Sequence, residues 1–130
     1  MCLVVVAAGN EAADACGRSP ASAESAFTVG STDIADALSS FSNYGTCVDI
    51  LAPGSSITST FPGGVATLSG TSMATPHVAG EALMYAGMSS RKLTPEQIKD
   101  GMKAQASVNK IKIPSQATGT PNLLLFQGCF

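Results

Sequence analysis

Apolar residues in this chain come in short unbroken runs rather than in strict alternation, a pattern that predicts strands covered on both faces. Leu3-Val4-Val5-Val6-Ala7-Ala8 is the first such run, β-branched and closed by Gly9-Asn10. Phe27-Thr28-Val29-Gly30-Ser31 and Val48-Asp49-Ile50-Leu51-Ala52 predict two more, the second stopped by Pro53-Gly54. Residues 11–25 and 33–44 are small, polar and turn-rich, hence loops. Residues 57–60 and 65–69, separated by Phe61-Pro62-Gly63-Gly64, predict a hairpin. A helix follows, running to about residue 86 with Gly87 as terminator. Thr94-Pro95-Glu96-Gln97 starts another: Thr94 is the N-cap, Pro95 takes the first position, and Gln97 completes a capping box. That helix is expected to end near residue 106, and residues 120–126 read as a final extended segment. Buried strands punctuated by helices place the chain in the α/β layered class.

Composition narrows this further. The chain has 130 residues, 45% hydrophobic and only 12% charged, enough for one domain with a real core and unlike a disordered segment. A formal charge of −2 gives no basis for binding nucleic acid or an anionic membrane. No apolar run approaches the ~20 residues needed to span a bilayer. Residues 1–8 are apolar but lack a basic leader and a cleavage-site context, so they read as a strand, and no export signal is expected. Four cysteines allow three pairings if all are bridged. Cys16 and Cys47 lie in loop-like segments and are either bridged or free. Cys2, in an apolar run, is expected to be a small buried hydrophobe; Cys129, at the C-terminus, is left free or bonded elsewhere.

Chemistry concentrates at Gly70-Thr71-Ser72-Met73-Ala74-Thr75-Pro76-His77-Val78-Ala79-Gly80. A serine hydroxyl is a poor nucleophile and needs exposure, a base, and donors for the oxyanion it creates. Ser72 is set between small residues at the start of a helix, whose N-terminus favours developing negative charge. Gly70 allows a substrate backbone to come close, and Pro76 is expected in the first helical turn. The chain's single histidine, His77, follows Ser72 by five residues. On a helix that offset is roughly 140° around the axis, so the two side chains diverge. His77 is therefore expected to be a packing or capping residue rather than the base.

The stretch around Ser72 resembles the nucleophile segment of the subtilisin-like serine proteases almost letter for letter. Ala7-Ala8-Gly9-Asn10, Ser19-Pro20-Ala21-Ser22, Thr28-Val29-Gly30, Ser40-Phe41-Ser42-Asn43-Tyr44-Gly45 and Asp49-Ile50-Leu51-Ala52-Pro53-Gly54 extend the likeness to the proteinase K-like members. It is strong over residues 3–87 and looser beyond. The resemblance implies the C-terminal half of a three-layer α/β fold with a mostly parallel sheet, so that residues 1–130 form a partial catalytic domain. Neither an Asp-Ser-Gly-type nor a His-Gly-Thr-type segment occurs, so the catalytic Asp and His would belong to a missing N-terminal half.

In such a protein Ser72 would be the nucleophile and Asn10 an oxyanion donor for hydrolysis of a polypeptide substrate. Ala7, Ala8, Gly9 and Thr71 would line a pocket tolerant of apolar side chains. The resemblance further implies a Cys16–Cys47 disulfide, an extracellular location and no cofactor for catalysis. It also implies a structural calcium on Asp49 and the backbone carbonyls of Glu24 and Ala26, although family Pro and Val residues are replaced at those two positions. By itself the chain would have little activity and, with strand edges and apolar faces uncovered, poor solubility.

Glu81 departs from the family pattern. Placed one turn after His77 on an apolar helix, it either pairs with that histidine or is exposed where the absent half would lie. Glu81 and the lost residues also suit an alternative, a non-catalytic module that binds a peptide or partner. An unrelated lipase-type elbow is excluded because Ala74 occupies the position of its second glycine.

Overall fold

Strand β2 (Phe27–Thr32) is buried along its whole length, and the rest of the chain is arranged around it. In the computed structural model, which describes residues 2–128, β2 pairs in parallel with β1 (Val5–Ala7) on one side and β3 (Ile50–Pro53) on the other. Strand β7 (Leu123–Leu124) adds in parallel to β3, and β6 (Ser107–Val108) closes that edge antiparallel to β7. The sheet order is therefore β1-β2-β3-β7-β6. A separate antiparallel hairpin, β4 (Ile57–Phe61) with β5 (Gly64–Leu68), stands apart from it.

Because side chains alternate across a strand, the runs divide between two cores. Phe27, Val29, Ile50 and Ala52 meet helices α1 (Thr71–Met88) and α2 (Pro95–Gln105) through Ala74, Val78, Ala82, Ile98 and Met102. On the opposite face Ala8, Leu51 and Val48 pack with Ala15, Leu38, Ile111 and Ala117 from the loops. The mostly parallel three-layer arrangement matches the expectation, as do the hairpin and the capping box. Thr94 Oγ1 accepts from the Gln97 N–H, while Gln97 Oε1 accepts from the Thr94 N–H.

Several expectations need correction. Helix α1 extends to Met88, past Gly87, and Pro76 lies in its second turn rather than its first. There its missing N–H leaves the Ser72 carbonyl without the usual partner four residues on. Strand β6 was not expected: two residues carry no periodicity, and their pairing with β7 defines them. Cys2 is exposed rather than buried. Cys129 lies outside the described residues. Among the described residues, no helix is long and apolar enough to cross a membrane.

The outer surface of α1 is unusual for a surface helix. Leu83 is 76% exposed, and Met84 and Met88 are exposed beside it. Val4, next to the β1 edge strand, is exposed as well. A helix apolar on every side normally has covering on every side.

Candidate active site

The loop after β1 and the N-terminus of α1 are held together by one amide. Asn10 Oδ1 accepts from the Thr71 backbone N–H and from the Thr71 hydroxyl, each at 2.8 Å. A backbone N–H can only donate, so the atom facing it is the amide oxygen. The Nδ2 group of Asn10 is thereby left as the outward donor. In return Thr71 Oγ1 accepts from the Gly9 N–H at 3.2 Å. Asn10 thus caps a helix more than sixty residues away, since the N-cap residue Gly70 has no side chain to do so.

Ser72 is the second residue of α1 and is exposed. Among the described residues its backbone N–H has no hydrogen-bond partner, as expected in the first turn of a helix. Gly70 packs against Asn10: a Cβ there would lie 3.7 Å from Asn10 Nδ2 and 3.5 Å from Met73 Sδ. The strand leading into the helix is anchored by the Gly70 N–H donating to the Gly54 carbonyl at 2.8 Å. Gly54 permits that approach, because a Cβ on it would lie 2.7 Å from the Gly70 carbonyl and would strike the Ser31 hydroxyl.

In front of Ser72 lies an open cavity of about 520 Å³ walled by Ile57, Ser59, Phe61 and Leu68 of the hairpin and by Pro76 and His77 of α1. Of the residues expected to line a substrate pocket, Ala8 and Thr71 are fully buried, while Ala7 and Gly9 are partly exposed; none borders this cavity. The Thr71 hydroxyl bonds to Asn10 and Gly9.

A residue missed at the sequence level holds the other side of the loop. Asn43 is fully buried, and its Oδ1 accepts from the Glu11 and Ala13 N–H groups at 3.0 Å. Its Nδ2 donates to the Ala8 carbonyl at 2.9 Å and to Glu11 Oε2 at 2.7 Å. Gly9 has φ +105°, and a Cβ there would strike the Asn43 amide. The turn presenting Asn10 is therefore clamped by Asn43 below and Thr71 in front. The signal available was the polar Ser42-Asn43 pair inside a segment otherwise read as loop.

His77 is exposed, and its Nδ1 lies 2.9 Å from the Met73 carbonyl of its own helix, so that nitrogen carries the proton. Glu81 corrects both readings made of it. It forms no ion pair with His77 and is 5% exposed, with Oε1 lacking any partner. Burial raises its carboxyl pKa above the usual 4.5.

Elsewhere, Cys16 and Cys47 are joined, with Cα atoms 5.2 Å apart. Asp49 accepts from the Thr28 N–H at 2.9 Å, and the Glu24 and Ala26 carbonyls point into the same region.

A mostly parallel sheet thus places an exposed serine at a helix N-terminus close to a fixed amide. The chain belongs to the subtilase family, peptidase S8, whose family profile matches residues 1–128. It is 49% identical over 123 residues to alkaline serine exoprotease A of Vibrio alginolyticus, covering 94% of this chain and 22% of that protein. It is 48% identical over 126 residues to an extracellular serine proteinase of a Thermus species, covering 95% of this chain and 30% of the relative. The crystal structure of a cold-adapted subtilisin-like serine proteinase superposes with a TM-score of 0.87 at 51% identity, over 95% of this chain and 44% of that one. The chain thus spans less than a third of these two curated relatives' length.

Proposed function

We propose that Ser72 is the nucleophile of a peptide-bond hydrolase, with Asn10 Nδ2 and the Ser72 N–H as the oxyanion donors. The observation that carries this reading is the pair of hydrogen bonds from Thr71 to Asn10 Oδ1. They turn a neutral donor outward beside the free N–H of an exposed serine, so donation is organised before charge develops. Attack by Ser72 Oγ on the peptide carbonyl would place the oxyanion between these donors, and collapse would expel the amine and leave an acyl-serine. His77 does not serve as the base, because it follows Ser72 by five residues on the same helix, an offset of roughly 140° that turns the two side chains apart. A histidine from the remainder of the protein, oriented by an aspartate, takes the Ser72 proton and gives it to the leaving amine; water then attacks the acyl-serine, releasing the acid and restoring the hydroxyl. The 130-residue chain alone would be inactive.

The exposed apolar surface of α1 and the open β1 edge support a complementing segment that covers them and carries those two residues. Small residues at Ala7, Ala8 and Gly9 favour a pocket admitting apolar side chains. The Cys16–Cys47 disulfide and the name of the Thermus relative support an extracellular location.

The test is peptide hydrolysis by the full-length protein, together with labelling by a fluorophosphonate. Ser72→Ala should abolish both, with the label mapping to Ser72 in the unaltered protein. Undiminished hydrolysis by Ser72→Ala would place the nucleophile elsewhere, and a folded full-length protein that is neither labelled nor active would instead favour a binding module.

A further inference from the structure

The region of Asp49 is built to hold a cation, and the chain fills it with its own. Two backbone carbonyls, Glu24 and Ala26, converge with the Asp49 carboxylate on one point, a set of hard oxygen donors of the kind that binds calcium. That point is taken by the ammonium of Lys99, reaching down from α2. Lys99 Nζ donates to the Ala26 carbonyl at 2.6 Å and to the Glu24 carbonyl at 3.3 Å, and lies 3.9 Å from Asp49 Oδ2. It also sits 5.7 Å from the centroid of the Phe27 ring. One turn further along α2, Lys103 Nζ donates to Asp49 Oδ1 at 3.3 Å.

We propose that Lys99 replaces a divalent ion at this position, making the site a metal-free, tethered cation lock. Two of the ammonium's N–H groups donate to the carbonyls, and the carboxylate 3.9 Å away balances its charge. Calcium needs six to eight oxygens at roughly 2.3–2.6 Å, and it would have to displace Lys99 and bind beside a second ammonium on Lys103. The Lys99 side chain is 15% exposed and that of Asp49 22%, so the charges are only partly screened by water. The residues therefore do not fit calcium while Lys99 is in place. The lock fastens α2 to the start of β2 and, through Asp49, to the residue before β3, a fastening that neither chelators nor low calcium would release.

Two measurements on the full-length protein test this. Bound calcium is counted by equilibrium dialysis for the unaltered protein and for Asp49→Asn. Equal counts are expected; one calcium fewer in Asp49→Asn would overturn the proposal. Should that variant fail to fold, the unaltered protein is treated with acetic anhydride in calcium and in a chelator, and lysine acetylation is mapped by mass spectrometry. Lys99 should be protected relative to the exposed Lys92 and Lys110, equally in both buffers. Full reactivity of Lys99, or reactivity that appears only with calcium, would show that the ammonium does not occupy the site.

Discussion

Thr71 gives both of its donors, the backbone N–H and the hydroxyl, to the single acceptor Asn10 Oδ1. This fixes the amide's rotation about its last bond, a freedom that an exposed asparagine otherwise keeps. Which end of the amide turns away from the helix is thus decided by a buried threonine.

Replacing Asn10 should therefore reduce turnover more than binding. Asn10→Ala in the full-length protein is expected to lower kcat by about 10²–10³-fold with little change in KM, the size measured for this donor in a subtilisin rather than one derived from the present structure. Steady-state kinetics on a peptide substrate would check it. A variant retaining most of its kcat would remove Asn10 from the mechanism.

Thr71→Val keeps the backbone bond to Asn10 but loses the hydroxyl that donates to Oδ1 and accepts from Gly9. With one of two restraints gone, kcat should fall by roughly five- to tenfold, the scale of one hydrogen bond. Thr71→Ser retains the hydroxyl and should restore the rate. If KM changes instead of kcat, Thr71 contacts substrate and does not merely position Asn10.

What was legible in the sequence, and what was not, follows from how far each relationship reaches along the chain. Ser72 could be read because exposure, a preceding glycine and a helix start are all encoded within a few adjacent residues. The strands could be read because burial on both faces leaves continuous apolar runs. Asn43, Lys99 and Lys103 could not. Each acts on groups thirty or more positions away, and no local pattern distinguishes a clamping asparagine from one in a turn. Glu81 failed for a different reason. The usual rule that carboxylates pair or face water predicted two outcomes, and the helix instead buries the group with one oxygen unpartnered.

The Asn43 clamp should be costly to lose. Asn43→Ala removes the acceptor for the Glu11 and Ala13 N–H groups and the donor to the Ala8 carbonyl. Leaving several partly buried backbone groups unpaired should destabilise the protein by roughly 3 kcal/mol, read as a lower denaturant midpoint. A shift below about 0.5 kcal/mol, the range of ordinary surface substitutions, would mean that water replaces the amide completely.

Reduction of the Cys16–Cys47 bridge frees a segment of sequence separation 31 in the unfolded chain. The chain-entropy account puts the loss at about 3–4 kcal/mol. Urea unfolding with and without reductant, repeated on a Cys16→Ser/Cys47→Ser double variant, would measure it. The reductant should have no effect on the double variant; a shift there would place the sensitivity elsewhere.

Glu81 makes stability depend on pH in an unusual direction. Burial raises its folded-state pKa above 4.5, so in that interval the folded state binds more protons than the unfolded one. Its contribution to stability is therefore complete below pH 4.5 and is lost as pH rises through the raised value. Most carboxylates in folded proteins, being paired, act in the opposite sense. Glu81→Gln removes the ionisation while keeping the shape, so it should be more stable than the unaltered protein at neutral pH, by about 1.4 kcal/mol for each unit by which the folded-state pKa is raised. Below pH 4.5 the two should converge. Denaturant midpoints for both proteins across a pH series would trace the difference directly. A gap that stays constant with pH would mean that the folded-state pKa of Glu81 is not raised in the full-length protein, as when a partner satisfies the carboxylate there.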